Sequence, residues 1–506
     1  MIDSLETGQS IWQRMEAAKS ALMTRIERCA ALTIPKVCLP TGFDVESYDQ
    51  THDYQSLGAQ ATNHVVNKLM VAMFAPSRPF FRVAEGRETK KKAAESGLKE
   101  DDLQTILASM ERQGSVMLDK LAQRPKLYQA ARHLVVTGNA LLVLDPGKIR
   151  VMGMRYFCVK RTHDGAIHTL AIREIMCFNE LDPKVQALWA KRYSPLDKVS
   201  HYRIIKKTPT GYMMDQYVED TKLPKEFSAR WTEAKMPYRV LTWDLADESD
   251  YGTGLVEEYI GDFEALSVLA ESVVTGAVVG SEFRWVANPN GMTSIEDFRN
   301  SRNGDTIPGN AKDIGAISPP TADGVKMGLS VSQVYEQRIS RGFLMGSAVT
   351  RQAERVTAEE VRMTAMELES AFGGTYSALA PSMQQPIALW MLANADTPIA
   401  GTDLSVVIVT GLDALSRNGD LENLKQGLAT LASFAQAPEA FIQRIKWDAL
   451  AKFVGDGVGI DLQRFIMNGE EFAQVQQAMM AQAQAQEVGT AGGVAQAEAA
   501  AQPQQP

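Results

Sequence analysis

The sequence predicts an α+β chain of several domains, and three observations carry that prediction. It has 506 residues, room for roughly two to four domains at about 100–200 residues each. Helical periodicity fills the first 138 residues and then gives way to β-hairpin patterns. After residue 250 two helix patterns bracket an insert rich in Gly, Asn, Pro and Asp. Hydrophobic residues at 45% and charged residues at 22% are ordinary for a soluble folded chain.

Taken in order, residues 10–33 place Ile11, Met15, Leu22, Ile26 and Ala30 on one stripe, predicting a single helix that ends before Pro35. A second helix is predicted over about 56–74. A third opens at 88 and runs towards Leu121. KLYQAARHLVVTG makes a fourth, stopped by Gly138-Asn139. ALLVLD (140–145) reads as a strand, and 155–176 as a hairpin about Asp164-Gly165. Asp182-Pro183 starts a short helix through Lys191. VSHYRIIKK and GYMMDQYVE flank TPTG as a second hairpin, and 238–245 is another strand.

Residues 251–282 follow a long helical pattern, with Ile260, Phe263, Leu266, Leu269 and Val273 along one side. The insert at 283–328 reads as short strands with one short helix at 293–301, and a returning helix is predicted over 330–345. GSAVTRQAERV (346–356) has no periodicity and carries Arg351 and Arg355. Thr357 as N-cap with Glu360 at N3 forms a capping box, and Val356 and Val361 form a hydrophobic staple. The helix they start is interrupted at Gly373-Gly374 and runs towards Leu392. SVVIVTG (405–411) is a strand, and the chain is helical to about 472. The Ala/Gln-rich remainder lacks the large apolar side chains needed to offset ordering entropy, so disorder is expected there.

Charge and motifs narrow the function. At a net charge of −9, any contact with nucleic acid must be local or weak. Four cysteines (29, 38, 158 and 177) form no CxxC pair and suggest reduced core residues. No apolar run approaches the roughly 20 residues of a membrane span, and Asp3 and Glu6 oppose a signal peptide, so synthesis inside the cell is expected. YGTG (251–254) and GDGVG (455–459) are glycine clusters without a phosphate-binding pattern, better explained as turns or caps. His163, His168 and His201 read as exposed strand histidines rather than a metal site. The Lys90, Lys91 and Lys92 run beside Glu85, Glu88 and Glu95 reads as a solvated helix face. No catalytic constellation, metal site or cofactor motif is found.

Several stretches, in this order, resemble the portal (head–tail connector) proteins of short-tailed, autographivirus-like bacteriophages. They are LGAQATNHVVNKLMVAMFAP (57–76), LVVTGNALLVL (134–144), YGTGLVEEYIGDFEAL (251–266), NPNGMT (288–293), GDTIPGN (304–310), GSAVTRQAERVTAEEVRMTAMELE (346–369) and TGLDALSRNGDLENL (410–424). The resemblance covers about residues 10–470 and implies a portal fold, assembled as a ring, usually of twelve subunits, around a central channel. It implies a wing over 1–250, a first stem helix at 251–282, a clip at 283–328 and a second stem helix at 329–345. A tunnel loop would fill 346–356, a long wing helix and strand 357–410, and a helical crown 411–472, before the tail at 473–506.

The implied function is passage of double-stranded DNA through a capsid vertex, first in packaging and later in ejection. The implied partners are the terminase large subunit, the tail adaptor, major capsid and scaffold proteins, and internal core proteins. The implied location is the virion, with assembly in the host cytoplasm. Arg351 and Arg355, with Arg341 and Arg338 more weakly, become candidates for phosphate contact, held by the anchor of Val356, Thr357, Glu360 and Val361. Pairing of those arginines with Glu354 or a neighbour's acids is the competing role. The alternative functions are another virion structural protein, such as a capsid or scaffold subunit, and a phage DNA-processing enzyme using scattered acids.

Overall fold

The computed structural model describes residues 6–43, 47–48, 54–74, 80–96, 100–189, 192–282, 284–317, 322–345, 358–395 and 404–408, with 429, 430, 450 and 454 besides. The chain divides into two units, 1–411 and 412–506, and every element below lies in the first. The strand expected at 405–411 is described only to Ile408, and the predicted crown and Ala/Gln tail lie outside the described residues, those four positions apart.

Where one helix was expected at 10–33 there are two, α1 (Gly8–Ala18) and α2 (Ser20–Leu32), broken at Lys19. The stripe splits because its halves serve different cores. Ile11 and Trp12 pack with Cys158, Ala171, Tyr202, Ile204 and Tyr217, whereas Ile26, Cys29, Ala30 and Leu32 join the main core. Lys19 is buried at the break, its Nζ donating to the carbonyls of Met154 at 2.5 Å and Phe157 at 2.7 Å. Then come α3 (Leu57–Met73), β1 (Phe81–Ala84), α4 (Arg87–Glu95), α5 (Glu100–Lys120) and α6 (Arg124–Thr137). The expected third helix is thus α4 and α5. Gly138 closes α6 at φ +70°, a left-handed cap that suits glycine.

Strand pairing throughout is antiparallel. β2 (Asn139–Asp145) and β3 (Lys148–Met152) form a hairpin, of which β3 was not foreseen. β4 (Phe157–Arg161) and β5 (Ile167–Cys177) pair across the Asp164-Gly165 turn, with a bulge at Lys160. After α7 (Pro183–Trp189), β6 (Lys198–Thr208) and β7 (Gly211–Val218) extend that sheet, joined by the short β8 (Thr221–Lys222) and β9 (Ala229–Trp231). β10 (Tyr238–Thr242) returns to pair with β2.

A four-residue helix, α8 (Leu255–Glu258), leads into α9 (Ile260–Ser281). Next are β11 (Arg284–Ala287), α10 (Ile295–Asn300) and β12 (Ile314–Ile317), with β11 and β12 paired. The returning helix, α11 (Ala322–Gly342), begins eight residues before the expected start at 330. α12 (Ala358–Phe372) and α13 (Gly374–Leu379) are separated at Gly373, and a π turn at Ala380–Gln384 precedes α14 (Gln385–Asn394). Pro386 lacks the N–H of a regular ladder and its ring crowds the preceding turn, which fits the wider π spacing there. β13 (Ser405–Ile408) pairs with β1, Phe81 opposite Ile408.

The YGTG cluster is a joint. Asn139 donates through Nδ2 to the Gly252 carbonyl at 2.7 Å and accepts from the Gly252 N–H at 2.8 Å. A Cβ on Gly138 would stand 2.5 Å from the Gly252 oxygen. The end of α6 is therefore locked against the segment that starts α8 and α9.

Two histidines sit inside this body. His133 is buried and pushed down to about 4 by burial alone. His201, expected to be exposed, is also buried, hydrogen-bonded to Gln216 at 2.9 Å, because β6 is covered on that side. It too is pushed down to about 4, by burial first and then by Arg203 and Arg150, with Glu174 and the Gln216 bond opposing. Both depressed values mean that protonation favours the unfolded chain. The stabilisation is full above about pH 6.5 and falls as pH drops towards about 4, with a slope of up to about 1.4 kcal/mol per pH unit for each group. Thermal midpoints measured from pH 7 down to 4 should fall, and His201→Gln should flatten the decline. A midpoint independent of pH over that range would contradict the assignment.

Candidate functional site

The candidate site lies around the hairpin of α9 and α11 and the residues just beyond it. The helices run antiparallel, as their contacts show. A Cβ on Gly276 would meet Val325 at 2.9 Å, and one on Gly328 would meet Val273 at 2.7 Å. Nearer the base, Arg338 approaches Asp262 at 3.9 Å, and a Cβ on Gly342 would stand 2.4 Å from the Tyr259 ring. Small residues at these crossings let the backbones approach closely. Phe343 packs edge-on against Tyr259 and Phe263, with centroids 5.4 and 5.6 Å away, and with Ile339 it anchors the hairpin in the main core.

Away from that base the hairpin is apolar and uncovered. Val268, Val274, Val278 and Val279 are exposed on α9, as are Met327, Leu329, Val331 and Val334 on α11. This corrects the expectation of no membrane-length apolar segment: α9 has the length and the mean hydropathy, 1.5, to cross a bilayer, yet only 17% of that stretch is buried. Its valines and small residues outweigh Glu264 and Glu271 within that stretch. At its tip, the β11–β12 module is held by Asp313. One of its carboxylate oxygens accepts from the backbone N–H groups of Met292 at 2.8 Å and Thr293 at 3.1 Å, and from the Thr293 hydroxyl. Trp285 packs edge-on against Phe298 at 5.0 Å while remaining largely exposed.

Of the predicted site residues, Arg338 and Arg341 are described. Arg338 is engaged within the hairpin, by Asp262 and by the ring of Tyr335 at 5.3 Å. Such an exposed pair contributes about 0–1 kcal/mol. Arg341 is exposed three residues further along. Arg351, Arg355, Val356 and Thr357 lie outside the described residues. Of Glu360 and Val361, only the place in the first turns of α12 is described.

Sequence reading missed the junction flanking that segment. α11 ends with the Leu344 N–H on the Arg341 carbonyl and the Met345 N–H on the Ser340 carbonyl, the double bond pattern that usually places glycine in the left-handed position. Leu344 occupies it, at φ +57°. Its carbonyl is within hydrogen-bonding distance of His64 Nε2 at 3.0 Å and accepts from Lys68 Nζ at 3.0 Å. Lys68, buried on α3, also meets the Glu367 carboxylate of α12 at 2.7 Å. Burial, then the Lys68 ammonium, holds His64 below its ordinary pKa, so the neutral ring can donate its Nε2 proton. The available signal was polar His64 and Lys68, four apart, beside the apolar positions Val65 and Leu69.

Other chemistry is sparse. A cleft of about 890 Å³ lies between α1, β4–β6 and residues 248–253, and its cations are largely paired, Arg14 with Glu6 and Lys160 with Asp250. His163 faces Glu248 at 3.5 Å. Among the described residues no group of three or more His, Cys, Asp or Glu is placed to hold a metal.

The description "Bacteriophage head to tail connecting protein" matches residues 5–466. The portal protein of Enterobacteria phage SP6 is 31% identical over 485 residues, spanning 94% of this chain and 92% of its own. That of Enterobacteria phage T3 is 28% identical over 509 residues, spanning 96% and 93%. The neck of an empty GTA particle covers 80% of this chain and 90% of its own at 9% identity, with a TM-score of 0.38, a likeness too loose to argue from. Mixed helix and strand around an extended helical hairpin, with the family match and the two sequence relatives, define a protein of the phage head-to-tail junction. The chain belongs to the bacteriophage head to tail connecting proteins. Its sequence relatives are portal proteins of autographivirus-like phages.

The close crossing at Gly342 generates a stability test. Gly342→Val should overpack the base against Tyr259 and cost about 1–3 kcal/mol. Calorimetry should show a lower midpoint, whereas an unchanged one would mean that the crossing is looser than described.

Proposed function

We propose that this chain is the subunit of a phage portal, a closed ring at one capsid vertex through which double-stranded DNA is packaged and later ejected. The observation that carries ring closure is the hairpin with exposed apolar side chains on both helices. A head-to-tail ring gives every subunit a neighbour on each side, so such surfaces are covered without leaving a free edge. A bilayer is the poorer cover, because α11 is packed on α9 and brings Asp323, Lys326, Glu336, Arg338 and Arg341 with it. In this reading twelve copies form the ring. Residues 1–250 are the wing, α9 and α11 the stem, 346–356 the tunnel loop and 411–472 the crown; the clip, expected at 283–328, is shortened to 283–321 because α11 begins at Ala322.

Arg351 and Arg355 supply phosphate contacts in the channel, with Arg341 beside them, and Arg338 acts chiefly within the stem. Charge supports a conduit over a clamp. A protein holding 6–10 phosphates loses roughly 10³–10⁵ in affinity between 50 and 200 mM salt, a grip that would hinder sliding DNA. A few arginines in a chain of net charge −9 give brief contacts instead. The chain acts mechanically, and ATP hydrolysis belongs to the terminase. The clip docks terminase and then the tail adaptor, and assembly proceeds in the host cytoplasm with scaffold, capsid and internal core proteins.

Two measurements test this. Native mass and negative-stain images of the purified chain should give closed rings with a central hole. Val274→Glu with Val278→Glu should shift the population to monomers, and rings surviving that change would remove the hairpin from the interface. Arg351→Ala with Arg355→Ala should leave rings intact and alter DNA packaging or retention. Loss of rings instead would assign those arginines a structural role.

A further inference from the structure

We propose that Lys68 is a positioning residue that ties together the two ends of the 346–357 segment through one buried ammonium. Its Nζ reaches the Leu344 carbonyl, two residues before the segment, and the Glu367 carboxylate on the helix that resumes after it. These two partners are well separated in sequence, and both meet one side chain on α3, which is 2% exposed.

Three features make this a built junction. Leu344 adopts a left-handed conformation that a leucine rarely takes, so its carbonyl direction is held by its surroundings rather than by local preference. His64, one turn before Lys68 on α3, is placed to donate to the same oxygen. Leu344 and Met345 also pack against the main core. Lys68 therefore reads the end of α11 and the side of α12 at once, and a shift of either moves a charge bonded in a place with little water.

The consequence for DNA rests on the channel reading above, whereas the junction itself does not. Trypsin digestion of the full-length protein tests it without DNA, by following cleavage after Arg351 and Arg355 relative to all other sites. Lys68→Met should accelerate those two cleavages about tenfold or more as the ends of the segment loosen. Lys68→Arg, which keeps a cation that can bond both oxygens, should restore much of the protection. Unchanged cleavage in Lys68→Met would overturn the proposal and make Lys68 an ordinary buried residue, even with a lower melting point. Should Lys68→Met fail to fold, Glu367→Gln decides: faster cleavage after the two arginines supports the junction, and wild-type cleavage overturns it. Failure of the channel reading is seen separately, as normal packaging by the double arginine variant.

Discussion

The packing of Tyr259 into the space above Gly342 is the constraint on which the rest of the hairpin depends. Side chains of ordinary size at that crossing would push α11 off α9 and turn both helices about the base. Because the Asn139–Gly252 bonds fix the start of α9 to the end of α6, the crossing also sets the hairpin's direction relative to the strands. The β11–β12 module at one end and the Leu344 junction at the other inherit that geometry.

Burial and exposure then divide the labour along the hairpin. Phe263, Leu266, Ile339 and Phe343 belong to the core of the subunit, and the valines beyond them are left for something outside it. A surface of this kind is unfavourable in water, because full burial of a valine contributes roughly 1.5–3 kcal/mol and these half-exposed side chains forgo part of it.

Much of this was legible in the sequence. Both β-hairpins, the paired helices around the insert and the break at Gly373 followed from turn residues and apolar spacing, because these signals are local. What escaped was set by distant partners. The split at Lys19 depends on carbonyls more than 130 residues away, and β3, β8 and β9 are short strands completed by neighbours rather than by pattern. His201 looked like a surface residue because its cover comes from elsewhere in the fold. At the site, the arginines drew attention as charge in an irregular stretch, while Lys68, Leu344 and Glu367 gave no local sign of meeting.

The pairing of Phe81–Ala84 with Ser405–Ile408 has a temporal meaning. A strand made early waits with its edge unsatisfied until more than 300 further residues have been synthesised, and closing a loop of that size is slow compared with forming hairpins. Completion of the first unit is thus a late event that reports that the intervening chain is present. A polypeptide ending before residue 405 lacks that seam, so the edge of Phe81–Ala84 stays open in it.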